Sequence, residues 1–194
     1  MFSVRIHGRG GQGVVTAAEL LSVAAFTDGK EAQAFPSFGS ERMGAPVIAF
    51  CRIDTRLIRL REPISEPDAV IVSDSTLLHH VDVFGGLAQD GYVLINSERS
   101  IGELGLADLR ERHGGRRLLT VPATELALAN TGRPIPNATL LGAFAAMTDA
   151  VSLESLEEAI GNRFSAGAAE GNIAAARAAA AQVSEVAAHA LTAS

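Results

Sequence analysis

Cysteine is nearly absent from this chain: Cys51 is the one thiol in 194 residues. A single thiol excludes an internal disulfide and a self-contained four-cysteine iron–sulfur site. It lies in an apolar run, which reads as a buried structural thiol. Aromatic residues are scarce as well, at 5%. With abundant Ala and 19 Gly, that scarcity points to closely packed helices rather than a bulky core. An excess of basic charge is also missing. The net charge of −6 and pI near 5.3 argue against nucleic acid as a partner. No apolar run approaches the roughly 18 residues that a membrane span needs, because Glu19 interrupts the best N-terminal candidate. Met1 leads directly into a strand without a charged n-region, so we expect no signal peptide and a soluble, cytoplasmic chain.

What is present is glycine, concentrated in one place. Ser3 to His7 alternates like a short strand, with Val4 and Ile6 on one face. Val14, Ala17, Ala18, Leu21 and Ala25 recur at helical spacing. Between them, Gly8, Arg9, Gly10, Gly11, Gln12 and Gly13 put four glycines into six residues. A strand, a glycine loop and a helix in that order form the anion-cradling turn of α/β proteins. The dinucleotide version expects an acid at the end of the second strand, about twenty positions on. Here the candidate strand is Lys30 to Phe35, with its acid, Glu31, near the beginning and Ala34-Phe35 at the end. The phosphate-loop version expects Lys and Ser/Thr after the last glycine, and this chain has Val14-Val15. Neither nucleotide pattern is met. Equally, the glycines could serve only a tight turn and close helix–strand packing.

Further along, Pro36 to Pro46 is a long loop with no period, carrying the charged pair Glu41-Arg42. Val47 to Ile53 reads as a strand, with Leu57 to Leu60 as its expected hairpin partner. Ala69 to Asp74 is a run typical of a central parallel strand. Ser73-Asp74-Ser75 suits the cap of a following helix through about Leu87. Tyr92 to Asn96 and Arg116 to Val121 are further strands. From about residue 123 the chain is helical, in segments 123–130, 137–147 with Asn137 as expected cap, 153–162 and 168–191. We therefore expect a single domain over 1–194. It should be an α/β three-layer sandwich with a mostly parallel sheet, a Rossmann-like first βα unit and a helical C-terminal part.

No complete catalytic set is visible. There is no G-x-S-x-G elbow. His79 and His80 are neighbours and cannot form an i, i+4 metal pair, so they read as surface or packing residues. His7, at the strand end beside the glycine loop, is better placed for a ligand. Asp68, Asp74 and Glu41 could form a carboxylate set, though no spacing demands it. A subunit that completes a site on another chain fits this description.

Two motifs in tandem sharpen the reading. Gly8-Arg9-Gly10-Gly11-Gln12-Gly13 before a helix resembles the opening signature of the gamma subunit of 2-oxoacid:ferredoxin oxidoreductases, the pyruvate:ferredoxin oxidoreductase family. Phe35 to Val47 looks like that family's second characteristic stretch. Asn137 to Phe144 and the helix start at Glu170-Gly171-Asn172 are also similar. The resemblance implies a multi-subunit enzyme turning a 2-oxoacid and coenzyme A into acyl-CoA and CO2, with electrons passed to ferredoxin. It implies thiamine diphosphate, Mg and [4Fe-4S] clusters in alpha, beta and delta-type partner subunits, and no catalytic residue in this chain. The gamma chain would be scaffold and active-site wall. Gly8 to Gly13 and Arg42 are then candidates for the coenzyme A phosphates. Phe38, Gly39, Glu41 and Arg42 are candidates for a subunit interface, where Glu41-Arg42 could equally be an inter-subunit ion pair. Two alternatives stay open. One is the same role in an aryl-pyruvate or phenylglyoxylate oxidoreductase, with ferredoxin or an NAD-linked flavin subunit as acceptor. The other is a non-catalytic nucleotide- or anion-binding module.

Overall fold

The structure, a computed structural model, describes residues 1–37, 43–113 and 117–192, with the backbone alone for 189–192. Six strands form one sheet: β1 Phe2–Arg9, β2 Glu31–Pro36, β3 Pro46–Asp54, β4 Ala69–Val72, β5 Tyr92–Asn96 and β6 Leu118–Val121. Their order is β2-β3-β1-β4-β5-β6. β1, β4, β5 and β6 run parallel, and β3 pairs antiparallel to both β1 and β2. The helices are α1 Val14–Thr27, α2 Ala107–His113, α3 Ala123–Thr131, α4 Asn137–Thr148, α5 Leu153–Arg163 and α6 Ala166–Thr192. The expected α/β architecture is therefore present, with the parallel strands in one half and an antiparallel hairpin at one edge.

Strand alternation assigns the two faces. Val4, Ile6, Cys51, Ala69, Ile71 and Leu94 pack against α1, α4, α5 and α6 in the main core. Val70, Val72, Val93, Ile95 and Leu118 point the other way and meet Leu77, Val83, Ile101 and Leu109. β4 is buried on both faces, which is why its sequence is unbroken Ala-Val-Ile-Val. The helical layer is held close by small residues: a Cβ on Gly142 of α4 would lie 2.1 Å from the Ala176 carbonyl of α6. Asp28, after α1, ties that helix to α5 by accepting from Ser152 N at 2.7 Å, Ser152 Oγ at 2.7 Å and Ser155 Oγ at 2.6 Å. Cys51 is buried, and burial pushes its thiol up to about 12.

Three local expectations need correction. The hairpin partner of β3 is β2, not Leu57 to Leu60. Once β2 occupies that edge, residues 55–68 run as an irregular strap beneath the sheet. Buried arginines replace the missing ladder: Arg52 Nη2 donates to the Glu62 carbonyl at 2.7 Å and Arg5 Nη1 to that of Ile64 at 3.5 Å. Second, the helix after Asp74 lasts only a 3₁₀ turn, Ser75–His79, instead of reaching Leu87. The carbonyls of Val83 and Gly85 accept from Arg5 Nη2 at 2.9 and 2.7 Å, and Gly86 adopts φ +73 where its backbone meets Ser65. Third, Asn137 is the first residue of α4 rather than its cap. Pro136 precedes the helix, and the buried Asn137 side chain accepts from Ala138 N at 2.8 Å.

Candidate functional site

The interior strand β1 delivers the glycine loop to the C-terminal end of the parallel strands, and α1 leaves from it. Close approach accounts for Gly8 and Gly13, and backbone conformation for Gly11. A Cβ on Gly8 would lie 2.5 Å from Val14 Cγ2, whereas Gly11 adopts φ +95 and faces only the exposed tip of Met43. Gly13 is left-handed at φ +72, and a Cβ there would lie 2.4 Å from Asn137 Nδ2. Gly10 does a different job, pairing its backbone with the second loop. Its N–H donates to the Ala45 carbonyl at 2.9 Å, and its carbonyl accepts from Gly44 N at 3.1 Å.

Arg9 and Gln12 make the join rigid. Gln12 Oε1 accepts from Arg9 N at 2.8 Å, and Gln12 Nε2 donates to Asp74 Oδ2 at 3.1 Å. The Arg9 guanidinium spreads over three partners: Asp74 Oδ2 at 3.1 Å, the Gly44 carbonyl at 3.0 Å and Thr76 Oγ1 at 2.9 Å. Burial by itself would raise the Asp74 carboxyl pKa. The hydrogen bonds from Thr76 and Gln12 and the charge of Arg9 outweigh it and hold that carboxyl below the usual range. Asp74 does act as a cap, as expected, accepting from Thr76 N at 2.9 Å. Its second role, tying β4's end to both loops, was not foreseen.

Beside the brace lies a cleft of about 290 Å³, lined by Arg9, Gly10, Gly11, Gly13, Val14, Val15, Thr16 and Val47. The start of α1 lines it without a side-chain cap, and its first intrahelical bond runs from Ala17 N to the Gly13 carbonyl at 2.8 Å. An uncapped first turn offers backbone N–H groups and the positive end of the helix dipole to an anion. Met43, 86% exposed, stands over Gly11 at the rim.

The other candidates fall elsewhere. His7 is 2% exposed, and its Nε2 accepts from Arg5 Nε at 3.0 Å, beneath the sheet. Burial, and then the Arg5 charge, bring its pKa down to about 4. Asp68 accepts from Ser3 N at 2.7 Å and does not join Asp74. His79 and His80 are exposed, with rings edge-to-face at 6.4 Å. Phe38, Gly39, Glu41 and Arg42 lie outside the described residues. Among the described residues no cluster of His, Cys, Asp and Glu suits a metal ion, and no helix is long and apolar enough to cross a membrane. Sequence reasoning missed Thr76 and the contact between Asn137 and Gly13. A signal for Asp74 existed: it ends the parallel strand beside β1, where ligands gather in open α/β sheets.

Comparison with known proteins places this geometry. The family model described as pyruvate ferredoxin/flavodoxin oxidoreductase matches residues 3–182. The pyruvate/ketoisovalerate oxidoreductases common subunit gamma of Pyrococcus furiosus is 51% identical over 177 residues, 91% of this chain and 94% of that one. Pyruvate synthase subunit PorC of Methanosarcina barkeri is 52% identical over 160 residues, 82% of this chain and 85% of its own. The crystal structure of the pyruvate oxidoreductase subunit PORC from Thermotoga maritima superposes with a TM-score of 0.76 at 36% identity, covering 93% of this chain and 95% of that one. The fold recurs at 15% identity, TM-score 0.72, within 31% of the 2-oxoglutarate:ferredoxin oxidoreductase chain of Magnetococcus marinus, and 95% of this chain is covered. The chain belongs to the pyruvate ferredoxin/flavodoxin oxidoreductase family, as a gamma-type subunit.

Proposed function

We propose that this chain serves as the gamma subunit of a thiamine-diphosphate-dependent oxidoreductase acting on pyruvate-type 2-oxoacids. The assembly makes acyl-CoA and CO2 and passes electrons to ferredoxin. The observation that carries the role of this chain is the locked pair of loops. Arg9, Gln12 and Asp74 fix the glycine loop against residues 43–46, and the uncapped start of α1 opens beside them. Such a surface suits a wall facing other subunits. Thiamine diphosphate and its magnesium supply the electron sink when bound in the partner subunits. The iron–sulfur clusters belong there too, since Cys51, buried with its thiol at about 12, is no cluster ligand.

The wall role includes the phosphates of coenzyme A. Because the Arg9 guanidinium is already committed to Asp74, Gly44 and Thr76, the contact falls to the backbone N–H groups of the glycine loop and α1, with the side chain of Arg42 as the proposed cation. Thr16→Glu tests this in the assembled enzyme. A carboxylate in the first turn favours the helix but repels a phosphate. The KM for coenzyme A should rise by about tenfold while thermal stability holds. Arg42→Ala should likewise weaken coenzyme A more than the oxoacid. Equal effects on both substrates would contradict the assignment.

A further inference from the structure

The strap between β3 and β4 is the largest feature that the wall role leaves unexplained. It leaves the sheet after Asp54 and rejoins it at Ala69, the end where β1 begins and the glycine loop does not lie. Its second half is pinned. Arg52 and Arg5 hold the carbonyls of Glu62 and Ile64 from beneath, and the Ile64 side chain is buried. Gly86 sits so close that a Cβ there would lie 2.0 Å from the Ser65 carbonyl. Its first half is displayed. Leu57 is 67% exposed and Leu60 43%. Between and beside them, Arg56, Arg59 and Arg61 are exposed, and their guanidinium groups meet no acid among the described residues. By contrast Arg9, Arg117 and Arg177 are each held by a carboxylate.

A projection tethered at Asp54 and Glu62 that sets unpaired Arg beside exposed Leu has the composition of an apolar centre with a charged rim. Because the strap is held at Glu62 and Ile64 just beyond this run, docking has only a short segment left to order. The charge is local, +3 from three arginines over residues 56–61 in a chain of net charge −6. A nucleic acid would meet the repulsion of the whole molecule, and residues 56–61 contain no aromatic ring on which a base could stack. A protein surface fits both halves of the pattern. We propose that Arg56 to Arg61 dock onto an acidic patch with an apolar centre on another subunit of the oxidoreductase. This inference rests on the subunit reading above.

The test uses the whole assembly, captured through a tag on this chain and washed at rising salt. Arg59→Glu/Arg61→Glu should release one partner chain at much lower salt than wild type, with affinity weakened by about a hundredfold through like-charge juxtaposition. Leu57→Ser should weaken the same partner without steepening the salt dependence. Arg110→Glu/Arg133→Glu, two exposed arginines elsewhere, makes the same change in net charge and should leave assembly intact. Identical retention by wild type and Arg59→Glu/Arg61→Glu would overturn the proposal. So would intact assembly with slower turnover of a soluble acidic electron carrier, which would place a transient contact there instead. A wild-type chain that captures no larger chains would overturn the subunit reading and this proposal together, and it would show before any variant is compared.

Discussion

Asp74 illustrates how much one side chain settles here. It caps a 3₁₀ turn, receives Arg9 and Gln12, and so couples the end of β4 to the glycine loop and to Gly44. Its folded pKa lies below the ordinary carboxylate value, so the unfolded chain binds more protons through that interval. The stability it contributes is present above pH 4 or so and is lost as the pH falls through the lower folded value. Asp74→Asn should cost about 1–2 kcal/mol near neutral pH and flatten the acid limb of a denaturation series. His7 acts in a higher window. Folding keeps it neutral, with its pKa moved from 6.5 to about 4. Stability should be full above pH 6.5 and decline toward pH 4, by roughly 3 kcal/mol at most. His7→Gln retains an acceptor for Arg5 and should remove that decline; an unchanged slope between those limits would contradict the buried, neutral imidazole. Neither partnership was legible in the sequence. Arg9 and Asp74 are 65 residues apart, and no local pattern announces which acid meets which arginine.

Elements were far more legible than contacts. The alternation of β1, the unbroken apolar run of β4 and the helical spacing of α1 each state a period, and each element formed where its period said. The failures fall where backbone groups are satisfied by distant side chains. Leu57 to Leu60 has strand-like composition, yet Arg5 and Arg52 make a strap of this region by holding carbonyls 59 and 10 residues away. The helix after Asp74 ends early for the same reason, with Arg5 taking carbonyls 78 and 80 residues on. Among helices, glycines separate into two kinds. Gly142 lets α4 and α6 approach, so Gly142→Ala should destabilise by about 2–3 kcal/mol through overpacking. Gly161 in α5 has open space around it, so Gly161→Ala should stabilise by about 0.5–1 kcal/mol. Chemical denaturation of the two variants side by side checks the pair, and a shared sign would refute the packing account. The same distinction explains part of the family signature: Gly13 makes room for Asn137, and Gly171 lies against the Asn130 carbonyl.

At the scale of the molecule, one sheet carries different devices at its two ends. At the end where β1 finishes, two braced loops and the start of α1 surround a cleft. Where β1 begins, a pinned strap displays arginine and leucine. In the proposed role, the surfaces at the two ends of the sheet let this subunit sit between others. That is the central claim, and native purification of this chain tests it most directly, with intact masses and the iron and thiamine content of whatever accompanies it. The account predicts brown material containing larger partner chains, iron and thiamine diphosphate, which reduces ferredoxin when given a 2-oxoacid and coenzyme A. A colourless chain purified alone, or one carrying only a nucleotide, would contradict it.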